Sequence, residues 1–409
     1  MIHRMLNFGR LSTSLALFVA LFHGGILPTT GWTSEAILIR AKQLYSMHGQ
    51  PQRNVEVLVR DGRIVGIGDS IRPYGDYQTL EVETLIPGLI DTSSSAGLRG
   101  GAAELTREVT PEFETAVTID WQSRDFREAV AEGTTAVNIM PSTENVFGGF
   151  SCLAKTAGAD LSLEVDNDRI VQVRSGLAIA MCSDPAGGNL ARERPDSIYV
   201  RLPTNRMGVV WIIRSRFQQV RDNQLREDQD PKVIEPLRAV LNGQFQVFAV
   251  SRTAYDIETW IALADEYKIP PIIFAGHEAY RSADLLGKRK IPVVYTAMTT
   301  RDLSGEEGTT LFWNTPGKLA AAEVPVILAG GDLLTQARFA VRFGMDSQSA
   351  LAAITTRPAA LLGAAERLGK IHADFDADMV ALDGPPLEFT TNIQWVMVDG
   401  KIQASWNGK

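Results

Sequence analysis

Three residue types that together can perform acyl transfer stand just past apolar runs. They are Ser93 and Ser95 in Leu85–Ala96 (LIPGLIDTSSSA), His277 in Ala275-Gly276-His277-Glu278, and Asp332 in Gly330-Gly331-Asp332. A hydroxyl activated by an imidazole, itself oriented by a carboxylate, is the inventory of Ser-His-Asp chemistry. Separation along the chain sets no distance among them, and each has a plainer role. His277 begins a helical stretch beside Glu278, where an exposed or capping histidine is ordinary. Asp332 precedes Leu333–Arg342, where an aspartate N-cap is sufficient explanation. A run of serines also fits relaxed constraint. Asn205-Arg206-Met207-Gly208 opens another helix and offers Arg206 as a clamp for a carboxylate or other anion, or as a plain surface arginine. Cys152 and Cys182 form no CxxC metal signature. They could pair in an oxidising compartment or remain two separate buried thiols.

The elements that must position these residues are legible in the apolar pattern. Val55–Ile67 alternates apolar residues about an Asp-Gly, the strongest short hairpin signal, and Val396–Ile402 repeats that grammar near the other end. Two such hairpins predict a small β-sandwich built from residues 37–85 and 379–409. Between them, apolar runs at Gly133–Pro141, Phe245–Arg252, Ile269–Gly276, Ile291–Met298 and Val324–Gly331 are separated by amphipathic stretches such as Ala254–Lys268 and Glu278–Lys290. Starts at 245, 269, 291 and 324 have βα-unit spacing, and Val/Ile-rich runs suit strands covered on both faces. The spacing predicts a (β/α)8 TIM-like barrel over 86–378, with Leu85–Thr92 as its first strand and the third and fourth strands obscure within 148–207. In such a barrel the groups that do chemistry follow the C-terminal ends of the strands. An open doubly wound sheet is the alternative, but no Gly-rich phosphate fingerprint supports it.

With 45% hydrophobic and 22% charged residues, the 409-residue chain has the composition of a globular protein. The net charge of −8 is spread without long runs of either sign, which argues against nucleic acid as a partner. Arg4 and Arg10 precede the apolar Leu15–Leu21, and Ser34-Glu35-Ala36 offers small residues for cleavage after Ala36. Residues 1–36 therefore read as a signal peptide, with export, to a periplasm, as the expectation. Contact with a membrane would come only through an uncleaved leader.

Pro87-Gly88-Leu89-Ile90-Asp91, the two bracketing hairpins, Gly330-Gly331-Asp332, Leu368-Gly369-Lys370 and Asp376-Ala377-Asp378 recur in an order that resembles the amidohydrolase superfamily, specifically its imidazolonepropionase-like branch. The resemblance implies one or two divalent metals held by a His-x-His after strand 1, histidines after strands 5 and 6, and an aspartate after strand 8. Such a metal lowers the pKa of a bound water towards neutrality. In this chain the His-x-His falls on Ser93 and Ser95, the strand 5 histidine near Val250 and the strand 6 histidine near Ala275. Asp332 alone is retained. Beyond the leader the histidines are His48, His277 and His372, and neither His48 nor His372 belongs to the mouth on this reading. Lys155 could match the carboxylated lysine of some relatives, or be a solvated lysine.

Three functions follow as expectations. The first is an exported amidohydrolase-like pseudoenzyme with its metal site lost and no cofactor. It would bind a small-molecule ligand, or join a homo- or hetero-oligomer with an active relative. The second is a hydrolase acting on C–N bonds of cyclic amides or dipeptides through a site rebuilt around Asp332 and His277. The third is a scaffold without pocket chemistry.

Overall fold

The computed structural model describes residues 36–99, 101–158, 167–187, 189, 202–223, 230–296, 298 and 306–405; the leader expected over 1–36 lies outside them except for Ala36. The chain first lays down β1 (Ala36–Leu44), β2 (Gln52–Arg60), β3 (Arg63–Gly68) and β4 (Tyr77–Pro87). There follow β5 (Leu89–Ser94), β6 (Thr134–Ile139), β7 (Phe147–Lys155), β8 (Ile170–Ala180), β9 (Val247–Val250), β10 (Ile273–Phe274), β11 (Val293–Tyr295) and β12 (Val326–Leu328). It closes with β13 (Met379–Leu382), β14 (Ile393–Val398) and β15 (Lys401–Ser405).

The terminal segments expected to form a sandwich pair as one seven-stranded sheet, in the order β15-β14-β13-β4-β1-β2-β3. Both hairpins have positive φ at Asp61-Gly62 and Asp399-Gly400, as a two-residue primed turn requires. These turns belong to opposite flanks of the sheet yet touch, since a Cβ on Gly62 would lie 3.1 Å from the Asp399 carbonyl oxygen. The sheet thus curls around one core that includes Val57, Ile64, Phe375, Met379 and Trp395.

The second sheet runs β12-β11-β10-β9-β8-β7-β6-β5. Its strands are parallel except β7, which is antiparallel to both β6 and β8. That reversal is why βα spacing hid the third and fourth strands. Gly88 permits the close approach of β5 to β6, because a Cβ there would meet Thr135 Oγ1 at 2.2 Å. Alternation sends Leu89, Val247 and Val326 outward against the helices, where Phe217, Trp260 and Ala337 complete the core. The opposite face, from Ile90 in β5 through Phe248 in β9 to Ile327 in β12, shares a second core capped by Ala359, Leu362 and Leu368.

Among the described residues no ladder pairs β5 with β12, so backbone pairing does not close this sheet. The flanks are nevertheless bridged. The N–H groups of Ile90 and Leu328 donate to the adjacent carbonyls of Ile354 and Ala353, at 3.0 and 3.1 Å.

Candidate functional site

The strongest bridge between β5 and the loop after β12 is a side chain that sequence reasoning did not single out. Asp91 Oδ1 accepts from Ser93 N and Gly330 N, and Oδ2 accepts from Gly331 N, each at 2.9 Å. Burial pushes the Asp91 carboxyl above its usual range, while the three N–H groups oppose that rise. Its sequence signal was the Asp of Pro-Gly-Leu-Ile-Asp, which periodicity assigns to a strand and not to a role.

Past β12, Asp332 has φ 37° and ψ 55°, and its Oδ1 accepts from Thr335 N at 3.3 Å. It is the N-cap of the helix Leu333–Arg342. Its own N–H donates to Glu132 Oε2 at 2.8 Å. Together with Glu132, Arg338, Asp383 and Asn392 it lines an open cavity of about 600 Å³ beside the terminal sheet. Burial raises the Glu132 carboxyl, and the Asp332 and Asp91 charges add to that rise.

His277 belongs to a different environment. It follows β10, is 7% exposed, and its Nε2 lies 3.4 Å from Thr296 Oγ1. Nδ1 has no hydrogen-bond partner among the described residues. Burial, with the Arg252 cation beside it, lowers the imidazole pKa to about 4, so the ring is neutral at physiological pH. Among the described residues no hydrogen bond or ion pair joins His277 to Asp332, and none joins either of them to Ser93 or Ser95. Ser93 is half-buried and donates its N–H to Asp91, while Ser95 is exposed. The inventory for Ser-His-Asp chemistry is present in the chain but is not assembled.

What fills the C-terminal ends of the central strands is an ion network. Arg252, two residues beyond Val250 and 7% exposed, grips Asp184 through two bonds of 2.8 and 2.9 Å and meets Glu307 at 3.0 Å. Arg206 is not an open anion clamp. Asn205 caps its helix through Gly208 N, and the guanidinium is taken up by Asp256, at 2.9 and 3.4 Å, and by Glu307. Asp256 in turn closes a capping box with Thr253. Burial alone would raise Asp184, but hydrogen bonds from Arg252 and Thr143 more than offset it and hold the carboxyl below its usual range.

Cys182, Asp184 and Glu307 place one potential ligand atom each within 4.8 Å of one another. They do not fit a zinc ion. Arg252 already pairs with both carboxylates, at 2.8 and 3.0 Å, so an ion would have to compete with its guanidinium. Cys152 and Cys182 are both buried and unpaired.

Lys155 is neither solvated nor at the mouth. It ends β7 opposite Ala136, and is 1% exposed. Its ammonium meets Asp376 at 3.0 Å, Asp378 at 2.5 Å and Asp399 at 3.0 Å. Burial alone would lower the Lys155 pKa, but the three carboxylates raise it and keep the ammonium charged.

This strand order and the short motifs on it have relatives. An amidohydrolase family model matches residues 304–403. The solved structure of an amidohydrolase from Thermotoga maritima MSB8 superposes with a TM-score of 0.80 at 27% identity, covering 90% of this chain and 100% of that one. The chain belongs to the amidohydrolase superfamily. The amidohydrolase tasK of Hapsidospora irregularis is 27% identical over 374 residues, covering 79% of this superfamily member but only 36% of tasK, so the chain spans about a third of that relative's length. Ochratoxinase of A. niger shares the fold with a TM-score of 0.56 at 18% identity, covering 91% of this chain and 97% of the enzyme.

Membership sharpens the question of a metal, because the superfamily resemblance assigns its ligands to definite positions. In this superfamily member Val250 and Ala275 offer no donor atom, and Ser93 and Ser95 offer neutral hydroxyls, poor zinc ligands. Asp332, the remaining position, accepts from Thr335 N through Oδ1 at 3.3 Å and is one ligand alone. The residues at these positions do not fit the ligand set of a divalent metal centre.

Proposed function

We propose that this amidohydrolase, of the imidazolonepropionase-like branch, is a metal-independent pseudoenzyme that binds a small ligand at the mouth of a barrel-like sheet. The observation that carries the reading is the substitution of chemistry at the strand ends. Ion pairs centred on Arg252 occupy the region where the superfamily would place histidine ligands, and His277 is left with a buried, neutral ring and an unpartnered Nδ1. A buried nitrogen without a partner is costly unless something completes it, and a ligand hydrogen bond would do so. Cyclic amides and small peptides suit such a group, since they carry both donors and acceptors. The rebuilt-hydrolase alternative lacks its geometry, with Asp332 on the Glu132 cavity and His277 on Thr296.

Export is part of the same proposal, resting on Arg4, Arg10 and the Leu15–Leu21 run. Among the described residues no helix is long and apolar enough to cross a membrane. Partnership with an active relative is the role that a non-catalytic homologue could serve beyond binding.

The test is elemental analysis after expression with zinc, manganese and iron, paired with a thermal-shift screen of cyclic amides and dipeptides and a turnover assay on each hit. Binding without turnover, lost in His277→Ala, is the expected result. An ion held at the mouth, or hydrolysis abolished by EDTA, would overturn the proposal.

A further inference from the structure

Two histidines absent from the mouth are brought together elsewhere. His48, in the loop after β1, and His372, in the tail before β13, are separated by most of the chain, yet their ring centres lie 5.0 Å apart at an interplanar angle of 71°. Both are exposed.

Their backbones are held, not merely adjacent. Ile371 N donates to the Ser46 carbonyl at 3.0 Å, which ties the two segments one residue before His372 and two before His48. His48 N donates to Ser46 Oγ at 3.2 Å, and Met47 between them takes a positive φ of 58°. On the other side Phe375 N donates to the His372 carbonyl at 3.2 Å, and Asp374 N to Ile64 O at 2.8 Å.

The ring chemistry is oriented as well. His372 Nδ1 lies 2.9 Å from the Ala373 carbonyl oxygen, which accepts its proton and so places the ring's lone pair on Nε2. A histidine whose second nitrogen donates to a backbone carbonyl is the usual arrangement of a metal ligand. With Zn–N bonds of about 2.0–2.1 Å and a tetrahedral angle, two imidazoles on one ion have centres about 5 Å apart. The observed separation matches that value.

We propose that His48 and His372 form a surface site for zinc or a similar borderline divalent cation, which clamps the β1–β2 loop to the C-terminal tail, with water or a partner's side chain completing the coordination. The site is independent of the proposed function, since neither residue touches the mouth. Binding only to the folded chain, the ion adds stability that rises with the logarithm of its free concentration once that exceeds Kd.

The experiment is titration of the full chain with Zn²⁺ alone, followed by calorimetry and by the imidazole Hε1 resonances. One equivalent of Zn²⁺ is expected to move the His48 and His372 signals together, leave His277 unmoved and raise Tm. Each of His48→Ala and His372→Ala should weaken binding at least tenfold. Both positions are exposed, so circular dichroism should show both variants folded. Resonances that move separately, or binding indifferent to either substitution, would overturn the site. Elemental analysis would count this ion too, so the mouth is assayed in the double variant. An ion retained there refutes the metal-independent mouth and leaves the clamp untouched.

Discussion

The two ends of the eight-stranded sheet each carry an ion network, and the two are built differently. At the base, Lys155 is sealed among three carboxylates, two of them from Asp376-Ala377-Asp378 and one from the β14–β15 turn. At the mouth, Arg252 and Arg206 share Asp184, Glu307 and Asp256, with Arg206 a third exposed. The base network joins β7 to the terminal sheet and so holds the two sheets to each other. The mouth network joins loops that follow separate strands, where a superfamily member would be expected to hold its reaction. One end uses charge to join the two sheets, and the other uses it to join the loops at the strand ends.

The difference can be broken most forcefully at Lys155. Lys155→Met leaves three carboxylates facing one another, with Asp378 already raised by burial. Removing one partner of a buried ion network costs about 3–5 kcal/mol. Urea denaturation should show a loss of that size, partly restored by adding Asp378→Asn. A loss under about 1 kcal/mol would mean that water reaches the base and that the two ends are alike.

The mouth has its own signature in pH. His277 has a folded pKa of about 4 against an ordinary 6.5. A depressed histidine contributes stability that is complete above the unfolded pKa and is lost as pH falls towards the folded one. Stability should therefore decline from pH 6.5 to 4, with His277 accounting for at most about 3 kcal/mol. In His277→Gln that part of the slope should vanish. An unchanged slope would show that His277 does not titrate in that window, since a carboxylate such as Asp184, lowered from its ordinary 3.8, loses its contribution only at lower pH.

Arg252→Met sharpens the comparison from the other side. It strips Asp184 and Glu307 of their shared cation, but Asp184 is more open to water than Asp376 and Asp378 at the base. The expected loss is about 1–3 kcal/mol, smaller than at Lys155, and the Asp184 carboxyl should titrate higher. Equal losses at the two ends would show that exposure does not separate them.

The sequence disclosed the parts of this arrangement that depend on neighbours in the chain. Apolar alternation about Asp61-Gly62 and Asp399-Gly400 gave both hairpins, and the Val/Ile runs gave β9 to β12. The expected Phe245–Arg252 and Ile269–Gly276 runs proved longer than β9 and β10, because apolar residues continue into loops that the core also buries. The reversed β7 was illegible, since an antiparallel strand buried on both faces has the same apolar content as a parallel one. The site was less legible than the fold. Asp332 was read as an N-cap or a catalytic acid, and only the backbone shows which hydrogen bond it makes. Lys155, Arg252 and Asp91 take their roles from residues far away in the chain, and periodicity is silent about such partners.

Asp332 itself supplies the mildest and most discriminating perturbation. As an N-cap its side chain satisfies Thr335 N, and such caps contribute about 0.5–2 kcal/mol when replaced by alanine. Asp332→Ala should lose about 1 kcal/mol by denaturation, whereas Asp332→Asn, which keeps an accepting oxygen, should lose far less. Neither change should alter ligand affinity at the mouth, because Asp332 lines the cavity shared with Glu132 and Arg338, which His277 does not line. The asparagine variant separates capping from chemistry. An amide preserves the hydrogen bond to Thr335 but cannot accept a proton as a carboxylate does. If Asp332→Asn stayed fully stable yet lost a hydrolytic activity, the residue would be a working acid–base group and the mouth would extend to the Glu132 cavity. If it stays stable and binding is unchanged, Asp332 belongs with the groups that hold the strand ends in place.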